Sequence, residues 1–164
     1  MIYFRRYIKE SKVSNPIDNP YVFEKMFRGN PNVEEVFLHK DTVYIEDKAF
    51  KNCVSLKKIN MPSKVEYLTS EMFYGCISLC EIIAESPIPP KYYPDKVCCL
   101  SDADDNIDDR LLYFGVRISN IFTEKPNCFE GVDKQKCIIR VPKGSAELYR
   151  SAHEWKEFAN IIEF

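Results

Sequence analysis

The sequence predicts a strand-rich α/β solenoid with short helical turns, and three observations carry that prediction. The first is a fixed period. The stretch Ala49-Phe-Lys-Asn-Cys53-Val-Ser-Leu56-Lys-Lys-Ile59-Asn-Met61-Pro62 recurs 23 residues later as Met72-Phe-Tyr-Gly-Cys76-Ile-Ser-Leu79-Cys-Glu-Ile82, and 23 residues earlier between Met26 and Leu38. The second is the agreement of independent columns at that spacing. Val13, Val36, Ile59 and Ile82 share one phase; Tyr21, Tyr44 and Tyr67 a second; Val22, Ile45 and Leu68 a third; Phe27, Phe50 and Phe73 a fourth. The third is the shape of each unit. Val33-x-x-Val36-x-Leu38, Leu56-x-x-Ile59-x-Met61 and Leu79-x-x-Ile82-x-Ala84 end in apolar residues two apart, the mark of a strand with one buried face.

Each unit reads as one coil. A period of 23 lies within the range of about 20–29 for leucine-rich repeats, whose strands stack in parallel along one side. Pro62 ends its strand because it cannot donate to a ladder. Val65-Glu-Tyr-Leu68 then supplies a second extended piece. A helical turn follows over Ser70-Glu-Met-Phe-Tyr, with Ser70 suited to the N-cap. Asn52 and Gly75 suit the left-handed residue at its end. The phenylalanine column fills the middle of the coil.

The flanks follow from what a solenoid needs. An open end exposes core, so both ends require covers. Residues 1–12 read as the N-terminal cap, with Tyr3, Phe4, Tyr7 and Ile8 on one helical face. Residues 13–84 hold three regular repeats. Residues 85–127 form a last coil carrying a long acidic insertion, with eight acidic and five basic residues. Ile118-x-x-Ile121 resembles Val65-x-x-Leu68, which confines the insertion to Lys91–Arg117. Within it, Asp105 onward suits a helix start, and Leu111, Leu112, Tyr113 and Phe114 form an apolar run too costly to leave in water. Residues 128–164 close the fold with a final strand and a C-terminal cap. There Ser145 suits an N-cap, and Leu148, Tyr149, Trp155, Phe158 and Ile161 cover the last of about four coils in a single domain.

The string Ala-Phe-x-x-Cys-x-x-Leu-x-x-Ile-x-Met-Pro resembles the BspA-type leucine-rich repeat. So does Cys137-Ile-Ile-Arg-Val-Pro-Lys-Gly-Ser-Ala-Glu-Leu-Tyr149 with Trp155-Lys-Glu-Phe-Ala-Asn-Ile-Ile162, which is similar to the closing segment of members from Bacteroides-type bacteria. The resemblance covers residues 13–84 and 128–164. It implies a right-handed solenoid, often displayed at a cell surface, used for adhesion or protein binding and without catalytic residues.

Composition excludes several classes. The chain has 164 residues and a net charge of −2, so no global field draws it to nucleic acid or anionic lipid. No apolar run approaches the roughly 18 residues of a membrane span. Charges near Met1 replace the apolar centre of a secretory leader, which places the sequence as written in the cytoplasm. The resemblance places it at the cell surface, or secreted, if a leader has been removed. Seven cysteines cannot all pair within one chain. Cys53 and Cys76, one period apart, read as small unbridged apolar fillers. Asp102 to Asp109 fails the EF-hand frame twice, with Ile107 and Tyr113 where Gly and Glu belong. The two histidines, His39 in the proline column and His153 in the cap, lack a Cys or Ser at any recognised catalytic spacing. No enzyme and no cofactor are expected.

The strand parity picks out a candidate surface. With Val36 and Leu38 inward, Glu35 and Phe37 point out, followed by Lys58 and Asn60, Glu81 and Ile83, and then Arg140. Glu35, Lys58 and Glu81 alternate in sign, either as a stabilising charge ladder or as part of a face for a protein or glycan partner. The alternative function is structural, a piece that assembles with itself or with a larger repeat chain. The oligomeric state stays open.

Overall fold

The computed structural model describes residues 12–14, 20–92 and 127–164. One parallel sheet runs the length of the molecule. Its strands, in order, are β1 (Lys12–Val13), β3 (Glu35–Val36), β5 (Lys58–Met61), β7 (Glu81–Ala84), β9 (Ile138–Val141) and β10 (Asn160–Glu163). The columns read from the sequence are the register: Val13 pairs with Val36, Val36 with Ile59, and Ile59 with Ile82. In β5, β7 and β9 every second residue is buried, as a one-faced strand requires.

The second side carries β2 (Tyr21–Val22), β4 (Tyr44–Ile45), β6 (Tyr67–Leu68) and β8 (Lys91–Tyr92), paired as β2–β4 and β6–β8. The third side is built of turns. A single helical turn, α1 (Glu24–Phe27), stands in the first coil. The helical turn expected from Ser70 is a run of tight turns instead, closed by bonds such as Cys76 N–H to Phe73 carbonyl at 3.1 Å. The reason lies in the inter-coil bonds. Phe50 N–H donates to Met72 carbonyl, Phe73 N–H to Cys128 carbonyl and Gly75 N–H to Glu130 carbonyl. Amides used along the stack cannot also close an α-helix. Asn52 (φ 60°) and Gly75 (φ 74°) take the left-handed conformation expected of them. At Gly75 a Cβ would lie 2.3 Å from Asn52 Oδ1, so any other residue must displace that side chain and hold a strained φ of 74°.

The core is a stack of rings. Phe27, Phe50, Phe73 and Phe129 lie 5.3, 5.5 and 5.5 Å apart, within 11° of parallel. Cys53 and Cys76 are fully buried thiols in no disulfide. They do more than fill space: Cys53 Sγ lies 3.0 Å from Phe27 carbonyl and Cys76 Sγ 3.1 Å from Phe50 carbonyl, each a weak bond one coil back. Burial pushes the Cys76 thiol well up.

The C-terminal region differs from the sequence expectation in two ways. The solenoid makes about five turns, not four. The added one ends in Asn160–Glu163, read as cap but found paired with β9 in full register. This satisfies the edge of β9 and buries Ile161. Ser145 precedes α2 (Ala146–Ser151) but makes no side-chain cap bond; Glu163 of β10 accepts the Ala146 N–H at 3.0 Å. Trp155, Tyr149 and Phe158 are buried and close the ring stack edge-on, as expected of a cover.

The expected start of the insertion is also corrected. Lys91–Tyr92 is not inserted chain: it is β8, pairing Tyr67 with Lys91 and Leu68 with Tyr92. This spacing is one residue longer than the period, so the column was hidden from a search at 23. Lys91–Tyr92 therefore takes the place assigned to Ile118–Ile121. The latter pair, the N-terminal cap residues 1–11, the acidic run and Leu111–Phe114 lie outside the described residues.

Candidate functional site

The outward row nearest the strand starts is Lys12, Glu35, Lys58 and Glu81, in register. It is an ion-pair ladder. Lys12 Nζ lies 3.0 Å from Glu35, and Lys58 Nζ lies 2.6 Å from Glu81. Arg140 reaches diagonally from β9 to the other oxygen of Glu81. Hydrogen bonds from Lys58, and then from Arg140, hold the Glu81 carboxyl below the usual carboxylate range. Further pairs one coil apart follow on the flanks, Glu34 with Lys57 at 2.9 Å and Asp41 with Lys64 at 2.6 Å. On the sheet, a partly exposed pair such as Lys58–Glu81 contributes about 0.2–1 kcal/mol. Their charges cancel on the face, so they set register more than they attract a charged ligand.

The second outward row holds Asn60, Ile83, Arg140 and Ile162, paired in register, with Phe37 preceding Asn60 by one coil. Phe37 and Ile162 are 43% and 45% exposed, and Ile83 is half-buried. Asn60 is held by the fold: its Oδ1 accepts from Leu38 N–H at 2.5 Å, and its Nδ2 donates to Leu38 carbonyl and Glu85. It bridges three coils and leaves little hydrogen-bonding capacity for a partner.

The structure thus places Glu35, Phe37, Lys58, Asn60, Glu81, Ile83 and Arg140 on one face, in two rows. Lys12, Glu85 and Ile162 belong to the same face and were missed. For Ile162 the signal was present in the alternation of Asn160-Ile-Ile-Glu163, which a reading as cap obscured. Leu111, Leu112, Tyr113 and Phe114 lie outside the described residues. His39 sits in a turn, its Nδ1 3.3 Å from the Asp41 N–H. Among the described residues no group of three or more His, Cys, Asp or Glu is placed to hold a metal ion. Nor is any helix among them long and apolar enough to cross a membrane.

The repeat geometry has a counterpart among known families. The family model for the BspA-type leucine-rich repeat region, written as six copies, matches residues 4–90. No curated protein matches the chain. With more than half of the sequence matched and a parallel strand-and-turn solenoid of the same period beneath it, the chain belongs to the BspA-type leucine-rich repeat family.

Proposed function

We propose that the chain is a non-catalytic module that binds a protein or glycan through its sheet face, in adhesion or in interaction with a host or partner. The observation that carries this reading is the set of apolar side chains that alternate with Asn60 and Arg140 in the second row. Ile83 and Ile162 stand on strands locked in register and Phe37 follows the end of β3, beside charges that already have partners. Rigidly held apolar side chains lose little entropy on docking, and flanking paired charges discourage non-specific contacts. Phe37→Arg tests it. The side chain is exposed, so the fold should persist, and a partner captured from the native environment by wild type should be lost. Undiminished capture by a folded Phe37→Arg protein removes the sheet face as the binding surface.

The assembly reading has an observation of its own. Among the described residues β10 is the last strand of the sheet, and Ile162 and Phe164 beside its edge are 45% and 60% exposed. An unpaired edge is a template for another strand. Sedimentation over a range of concentrations separates the two readings: a mass that rises with concentration, and falls back in Ile162→Lys, supports assembly.

A further inference from the structure

The C-terminal cap and the last coil enclose a cleft that the sheet face does not share. Its volume is about 550 Å³, inside the range of about 300–1,000 Å³ usual for ligand sites. One wall runs from Ile88 to Tyr92; the other is Leu148 and Ser151 to Trp155. The walls are tied together. The Tyr149 hydroxyl donates to Ser86 carbonyl at 2.8 Å, and the Trp155 indole N–H donates to Pro90 carbonyl at 3.1 Å. Ile88 and Leu148 are 65% and 51% exposed, so both present apolar surface to whatever enters.

Glu154 lines this cleft although only 5% of it is exposed. Its Oε1 lies 3.0 Å from His153 Nδ1, and among the described residues no lysine or arginine pairs with it. Its Oε2 is buried with no hydrogen-bond partner there. Lys91 lines the opposite wall without pairing to it. A buried carboxylate oxygen without a donor is costly and calls for a cation or donor group. The charge is felt within the cleft: the Tyr92 hydroxyl is pushed up to about 12, chiefly by burial, with Glu154 among the negative groups that add to it.

We propose that this cleft binds the ammonium or guanidinium group of a lysine or arginine side chain on a partner polypeptide, with Glu154 as its counter-ion. The aliphatic stem lies between the apolar walls. The residues flanking that lysine or arginine cover Ile88 and Leu148, which a small free amine would leave in water. The inference rests on the reading of the chain as a polypeptide-binding module, but it uses a surface separate from the sheet face.

Trp155 is the single tryptophan and lines the cleft, so its fluorescence reports occupancy. Titrating the full chain with acetyl-Leu-Lys-Leu-amide should give a saturable change. The norleucine counterpart, which has the stem without the charge, should bind at least about tenfold more weakly. Glu154→Gln, shown to be folded by its thermal melt, should lose that preference. Leu148→Ser, on the exposed wall, should weaken the tripeptide and serves as a second variant if Glu154→Gln does not fold. The assignment is overturned by the absence of a saturable change, by equal affinity for the lysine and norleucine peptides, or by a preference that survives Glu154→Gln. Binding of n-butylamine as tight as that of the tripeptide overturns the polypeptide as its source. Phe37→Arg should leave this titration unchanged, so failure here and failure of the sheet face are told apart.

Discussion

The middle of the solenoid and its C-terminal closure solve opposite problems with the same kinds of side chain. In the middle, Phe27, Phe50, Phe73 and Phe129 stack nearly parallel, each ring presenting to the next the surface it received from the last. At the closure the geometry turns. Trp155 meets Phe129 at 61° and Phe158 meets it at 88°. Parallel rings leave a face open for another ring, whereas edge-on rings cover it. Polar groups divide in the same way. Inside the stack, backbone amides and thiols bond one coil along; at the end, single bonds such as Trp155 to Pro90 and Glu163 to Ala146 occur once. Propagation needs one solution repeated, and termination needs several that do not repeat.

The largest expected effect breaks the propagating half. Phe50→Ala removes a ring with a neighbour on each side and should cost about 3–5 kcal/mol in denaturant unfolding. A midpoint close to wild type would mean that the stack contributes little. Gly75→Ala comes next. It forces a Cβ into Asn52 and a side-chain residue into φ 74°, at a cost of about 1–3 kcal/mol by thermal melt. A neutral result would show that the turns have slack that the rings do not. Trp155→Phe addresses the terminating half. It keeps a ring but leaves the Pro90 carbonyl without its donor, and should cost about 1–2 kcal/mol, seen first as faster hydrogen exchange in β10. Loss of exchange protection across all coils at once would instead mean that ends and middle unfold as one unit.

The smallest effect concerns Glu81 of β7, whose carboxylate joins β5 to β9. Its carboxyl is held low by Lys58 first and Arg140 second. A carboxyl lowered in the folded state contributes stability above its unfolded pKa and loses it as pH falls through the folded value. Glu81→Gln should therefore lower the melting free energy by about 0.2–1 kcal/mol at neutral pH. The gap from wild type should narrow as pH falls below the usual carboxylate range and through the lowered folded value. A gap that does not narrow at all as pH falls would assign the loss to packing, not charge.

What the sequence revealed follows the same division. The columns Val13 to Ile82, the tyrosines and the phenylalanines were legible because each residue meets its own counterpart one coil away. So were the left-handed Asn52 and Gly75. The outward parity of Glu35, Phe37 and Lys58 came from the same alternation. Lys91–Tyr92 was missed because one added residue moved it out of phase. The helical turn at Ser70 was over-read because its amides serve the next coil. Glu163 was hidden for a different reason: its carboxylate acts once, on the Ala146 N–H, and no period announces it.

The bonds between turns also decide how the molecule answers a pull. Gly29 N–H to Lys51 carbonyl, Asn52 N–H to Tyr74 carbonyl and Gly75 N–H to Glu130 carbonyl join successive coils, as do the strand ladders. All run along the stacking direction. Tension applied there loads one layer of bonds at a time, as in opening a zip, instead of shearing every layer together. Each layer between regular coils that yields frees one 23-residue coil, or about 80 Å of extended chain. At the closed end the clasp of Glu163 on α2 adds to the β9–β10 ladder in holding the last strand.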